Sequence, residues 1–266
     1  MSYSDIVLAD SPLLYWPMTS GTAVDSSGNG YHGTSVGSPQ AESAGPATCH
    51  HADGSTSFDA DESSPPYFHR STSPLTGTGN FTAEIWVRPD SDAFTRSGRR
   101  YLTIFQQRPV PRNDTNTLGL YVNLTSNTLY GYCAGTSVST PISALGDRTE
   151  CWTHLAFRRS GSTLTLKVNG STAATGTSSG SVTDQHLAVA ADHSDVVWPD
   201  TVEEWEMWKG RLAHFALYDG ALSDARISAR VAAGCTQCGA SASGWHIGSL
   251  RFGSTAIAGT AFTGWT

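Results

Sequence analysis

Residues 152–176 read WTHLAFRRSGSTLTLKVNGSTAATG, and this stretch decides the fold class. Leu155 and Phe157 share one parity, and after Ser160-Gly161-Ser162 the phase restarts with Leu164, Leu166 and Val168. Thr165 and Lys167 fall between them. Such period-2 alternation puts the apolar side chains on one face, as a half-buried antiparallel strand requires. Asn169-Gly170 supplies two residues that tolerate positive φ, the condition for a type I′ hairpin turn. The stretch predicts three short strands forming a β-meander over a core. It contains no catalytic chemistry.

Working outward, Asn80 to Asp90 (NFTAEIWVRPD) places Phe81, Ala83, Ile85 and Val87 on one face. Pro89 then stops the ladder, because it has no N–H to donate. Residues 13–16, 58, 67–68, 101–107, 117–122, 128–133, 187–190 and 211–218 add further strands. In residues 101–107, Leu102, Ile104 and Phe105 mix the two faces. About a dozen short strands punctuated by turns argue for a sandwich or barrel. DSSGNG at 25–30 is a dense turn cluster, and residues 38–57 show no periodicity and read as a long loop. A single helix is expected at 223–233, with Ser223 as cap, Asp224 at its positive end and Leu222 stapled to Ile227. Gly234 would close it in the left-handed conformation.

Composition narrows the function classes. Charged residues are only 15%, against about 25% in typical domains. With 27 Gly and eight Trp, this is the texture of a surface or virion β protein. The formal net charge of −7 argues against nucleic acid, which needs clustered Lys and Arg. The basic cluster Arg96, Arg99 and Arg100 reads as a solvated loop. No apolar run approaches the length of a membrane span, and the opening has Asp5 and Asp10 where a signal peptide needs basic and then apolar residues. Five scattered cysteines make a poor disulfide framework and suit a reducing cytosol. Cys235 and Cys238 have the spacing of half a zinc site, whose other half Cys49-His50-His51 would have to supply, and read as free thiols.

Four stretches together resemble the laminin-G-like, concanavalin A-like jelly-roll domains: residues 15–33, 80–89, 152–170 and 210–231. The resemblance implies an all-β fold, a two-sheet antiparallel jelly-roll sandwich over residues 1–234, ending in one short helix. A Gly/Ser/Thr-punctuated β-rich extension, 235–266, follows, and Trp245, Leu250, Phe252, Ile257, Phe262 and Trp265 are its docking residues. Some relatives of this kind carry a calcium ion. Here Ala213-His214 stands where the family often has an Asp-Glu pair, so a structural calcium is doubtful and no cofactor is expected. Asp25 and Asn29 are expected to build their turn through side-chain to backbone hydrogen bonds. The opening MSYSDIVLADSP and the ending LRFGSTAIAGTAFTGW resemble those of actinobacteriophage minor tail proteins.

Retaining glucanases on such a fold need two carboxylates about 5–5.5 Å apart, usually from an E-x-D-x-E-like strand. Glu203-Glu204-Trp205-Glu206 does not match it, so no enzyme is expected. The same region is the binding candidate: Trp198, Trp205 and Trp208 with Asp195, Asp200, Glu203 and Glu204. Indoles stack on apolar sugar faces while carboxylates accept hydroxyl hydrogen bonds; the same indoles would serve a subunit interface or a loop core. The expectation is a non-enzymatic virion protein, made in the host cytoplasm without a signal peptide. It would be a minor tail or tail-fibre component, contacting other virion proteins and a host cell-surface glycan, and assembling as a homo-oligomer such as a trimer. A capsid decoration protein without ligand, and a secreted bacterial glycan-binding module, are the alternatives.

Overall fold

The computed structural model describes residues 2–48, 53–61, 64–95, 100–109, 114–145, 151–192 and 206–234. The docking residues of the extension and all of 193–205 therefore lie outside the described residues. Two antiparallel sheets face each other. The first holds β1 (Leu14–Trp16), β3 (Gln40–Glu42), β4 (Ser55–Phe58), β6 (Phe81–Pro89), β11 (Thr153–Ser160), β12 (Thr163–Val168), β13 (Ser171–Thr177) and β15 (Gly210–Tyr218). Their order is β13-β12-β11-β6-β15-β4-β3, with β1 also paired to β15. The second holds β2 (Thr34–Val36), β5 (Tyr67–Thr72), β7 (Tyr101–Gln107), β8 (Leu118–Asn123), β9 (Thr128–Cys133), β10 (Thr136–Pro141) and β14 (Gln185–Val189). Its order is β10-β9-β8-β7-β14-β5-β2. This is the expected jelly-roll sandwich.

The meander forms as read. β11 pairs with β12 and β12 with β13, while Asn169 and Gly170 take φ values of 48° and 79°. Leu155, Phe157, Leu164, Leu166 and Val168 join Phe81, Ala83, Ile85 and Val87 in the core between the sheets. The other face differs from expectation. Thr82, Glu84, Trp86, His154, Ala156 and Lys167 are buried as well, not half-exposed. They lie under a third layer made of two helices, α1 (Tyr3–Leu8) and α2 (Asp224–Ala233). A second apolar cluster, including Tyr3, Val7, Tyr15, Trp86, Trp152 and Tyr218, fills the space beneath it.

Helix α2 matches the expected one, and the Ser223 side chain accepts from the Arg226 N–H. Gly234 does not take the left-handed conformation; its φ is −102°. A Cβ there would collide with the Trp86 indole, so close approach is what demands glycine. Helix α1 was not expected, although Ser2 and Asp5 form a capping box. Strands β3 and β4 fall in the stretch read as a loop. There, Thr56 Oγ1 donates to the Met18 carbonyl at 2.6 Å, tying down a segment with no apolar period. Cys151 is disulfide-bonded, contrary to the reading of scattered reduced thiols, while Cys133 is free and buried. Among the described residues no helix is long and apolar enough to cross a membrane.

Candidate functional site

The outer face of the second sheet carries the site. Strand β9 alternates strictly, so Leu129 and Cys133 enter the core while Tyr130 and Tyr132 stay half-exposed outside. Tyr121 on β8 follows the same rule against Leu120 and Val122. In β7 the phase is broken by a bulge: Thr103 opposes Tyr121, but Phe105 already opposes Leu120, leaving Ile104 extra. The bulge lets Leu102, Ile104 and Phe105 all be buried and turns Tyr101, Thr103 and Gln106 outward. That explains the mixed faces of residues 101–107.

Register then aligns the outward residues in rows. Thr103, Tyr121, Tyr130 and Ser139 cross β7 to β10, and Gln106, Gly119, Tyr132 and Ser137 form the next row. Tyr121 and Tyr130 stack with centroids 5.3 Å apart and planes 14° from parallel; Tyr101 meets Tyr121 edge-on at 5.7 Å. Gly119 leaves a pit between Gln106 and Tyr132. Its missing side chain is required, since a Cβ would stand 2.9 Å from the Phe105 carbonyl oxygen. The resulting cavity has a volume of about 140 Å³, with Tyr121 and Tyr132 as walls and Thr117, Gln106, Asp192 and Glu206 as polar groups. Behind it, Asp192 forms a buried ion pair with Arg108 at 3.0 Å. The Gln106 amide, turned with its nitrogen toward Asp192, donates at 2.8 Å.

The sequence-predicted residues stand differently. Asp195, Trp198, Asp200, Glu203, Glu204 and Trp205 lie outside the described residues. The segment that contains them leaves at Asp192 and returns at Glu206, both of which line the cavity. Trp208 does not face outward: it is fully buried in the core, and its N–H donates to the Ala190 carbonyl through the backbone. Of the readings open to that indole, packing is the one realised. The tyrosines were missed because they are spread over β7, β8 and β9; only pairing gathers them.

Two other concentrations of polar side chains are structural. Asp25 accepts from the Tyr15, Ser27 and Tyr31 N–H groups and the Ser27 hydroxyl, at 2.8–3.0 Å, and Asn29 Nδ2 donates to Leu13, which is the turn-building role expected. His214, at a bulge in β15 with φ 55°, bridges the Tyr15 hydroxyl at 2.7 Å and Asp53 at 3.1 Å. Burial pushes the Asp53 carboxyl up, but the His214 contact and backbone N–H groups outweigh it and hold it below the usual range. The open depression beside it, about 440 Å³, is edged by Glu42, which pairs with Arg211 at 3.3 Å. Among the described residues no group of three His, Cys, Asp or Glu could hold a metal ion.

Comparison with known proteins follows the same lines. The family model described as the concanavalin A-like lectin/glucanases superfamily matches residues 61–228. No curated protein matches the sequence. Among solved structures, similarity extends to domain 4 of AbnA, a GH43 extracellular arabinanase from Geobacillus stearothermophilus, in complex with arabinotriose. That match has a TM-score of 0.54 at 17% identity and covers 83% of this chain and 98% of that one. The binding domain of Paraclostridial Mosquitocidal Protein 1 matches with a TM-score of 0.60 at 14% identity, over 84% of this chain and 52% of that one. The botulinum neurotoxin serotype D ligand-binding domain, in complex with N-acetylneuraminic acid, gives 0.56 at 14% identity, over 85% and 52%. This chain thus spans nearly all of the first and about half of the other two. At these identities the likeness is one of fold.

Proposed function

The chain belongs to the concanavalin A-like lectin/glucanases superfamily, and on that premise we propose that it is a non-enzymatic glycan-binding module. Its sugar site is the tyrosine-walled cavity on the second sheet. The observation that carries this reading is the convergence of Tyr101, Tyr121 and Tyr132 with Asp192, Glu206 and Gln106 around one pit. Aromatic walls take the apolar faces of sugar rings, and a few placed polar groups orient the hydroxyls. Asp192 is committed to Arg108, so it holds a sugar hydroxyl as an ionised acceptor instead of delivering a proton. The proteins of similar fold that carry arabinotriose or N-acetylneuraminic acid support a sugar as ligand.

The module serves on a virion, as a minor tail or tail-fibre component that presents this site to host-surface glycans. The resemblance of both chain ends to minor tail proteins supports that setting. Repetition in a homo-oligomer, a trimer for instance, would raise weak single-site binding by about 10²–10⁴. Affinity electrophoresis of the purified protein in gels cast with host cell-wall polysaccharide tests the binding. Retardation that disappears in Tyr121→Ala is the expected result, and retardation unchanged in that variant overturns the site. Mass spectrometry of purified particles tests the setting, which falls if the chain is missing from them.

A further inference from the structure

We infer that the cavity selects uncharged sugars and rejects acidic ones, the ligand being a neutral oligosaccharide lying across strands β7 to β9. This rests on the glycan reading above. Charge decides the selectivity. The ionisable groups bordering the cavity besides tyrosine are Asp192 and Glu206, both carboxylates, and among the described residues no Lys or Arg lines it. Arg108, buried behind Asp192 and paired with it at 3.0 Å, balances that carboxylate and offers no free donor to the cavity, so the uncompensated charge is that of Glu206.

A carboxylate only accepts hydrogen bonds, so it suits a sugar hydroxyl, which donates. A sialic or uronic acid carboxylate also only accepts. Its recognition calls for an Arg fork or a Lys ammonium, and here it would meet like charge inside a site partly shielded from water. The remaining polar groups, Thr103, Thr117 and Gln106, are neutral. The net charge of −7 adds repulsion at longer range.

Shape decides the orientation. A cavity of about 140 Å³ is well below the roughly 300–1,000 Å³ that encloses a drug-sized ligand, so it holds one ring at most. Beside it, Tyr121 and Tyr130 stand in register on neighbouring strands, with Tyr101 against Tyr121. These rings span two inter-strand spacings, about 10 Å. A chain seated in the pit therefore continues along the tyrosines, across the strands.

Titration calorimetry on the full chain tests this, with maltotriose, cellotriose and arabinotriose as neutral probes and trigalacturonic acid and sialyllactose as acidic ones. At least one neutral trisaccharide is expected to bind at least tenfold more tightly than either acidic one. Glu206→Gln should narrow that ratio, as should raising the salt to about 0.5 M. An acidic probe bound as tightly as the best neutral one, or a ratio unchanged in Glu206→Gln, overturns the selectivity while leaving the glycan site standing. No binding of any probe by the native chain, or equal binding by Tyr121→Ala, overturns the glycan site and the selectivity together.

Discussion

Arg159 shares the parity of Leu155 and Phe157 and so points inward, a position where a cation looks misplaced. It is 1% exposed, and its guanidinium donates to the carbonyls of Gly79, Gly180 and Gly77 at 2.7–2.9 Å while lying over the Phe81 ring. A buried polar group is tolerated when its donors are used, and here they bind two loops to the end of β11. Arg159→Met is expected to destabilise by about 3 kcal/mol, because three carbonyls lose a charged donor. The check is a lower urea midpoint at constant slope. Tyr121 is the opposite case, half-exposed on the outer face. Tyr121→Ala should weaken glycan binding at least tenfold, about 1.4 kcal/mol. Calorimetry and thermal unfolding on the same sample separate that loss from any small change in stability. Both residues are visible in the sequence, yet neither role is, since each depends on what other strands bring alongside.

Helix α2 is held by a buried network. Arg230 Nε donates to Glu84 Oε1 at 2.8 Å, the Tyr218 hydroxyl donates to the same oxygen at 2.6 Å, and His154 Nε2 lies 3.3 Å from Oε2. Asp10, just past α1, accepts from Arg226 and Arg230 and so ties the two helices together. Burial alone would raise the Glu84 carboxyl, but the His154 contact and the Arg230 charge prevail and bring its pKa from 4.5 down to about 2. Because the folded value is depressed, Glu84 contributes its full stability above about pH 4.5 and loses it as pH falls toward 2. Native protein should therefore lose its stability advantage over Glu84→Gln between about pH 5 and about pH 2, as read from urea midpoints along that series. Arg230→Met strands a buried carboxylate and should cost about 3–5 kcal/mol near neutral pH, measured the same way. Of these elements α2 was legible, because its Ser223 cap is local. The rest of the layer was not, since Glu84 belongs to a strand whose other face carries the apolar period.

At the scale of the whole molecule, the sandwich is joined by side chains that cross between sheets. Phe157 of the first sheet lies edge-on to Phe81 at 5.7 Å and occupies the place where a Cβ on Gly131 of the second would stand. Phe157→Ala should cost about 3–5 kcal/mol through lost burial and the cavity left behind, detectable as a lowered midpoint of a single unfolding transition. Restoring bulk from the other side with Gly131→Val in the same chain should recover part of that loss, and non-additivity in the double-mutant cycle measures it.

The sequence by itself determined the strands with strict alternation, the type I′ turn at Asn169-Gly170 and the capped helix, because each rests on contacts within about ten residues or on a simple period, while the choice of two sheets over a barrel came from the family resemblance. Tertiary structure alone decided that Trp208 belongs to the core, that the first sheet is covered on both faces, and that a bulge rephases β7. It also decided that tyrosines from three strands meet across Gly119. Strand pairing brings together residues that have no periodic relation along the chain, and the cavity exists only in that pairing.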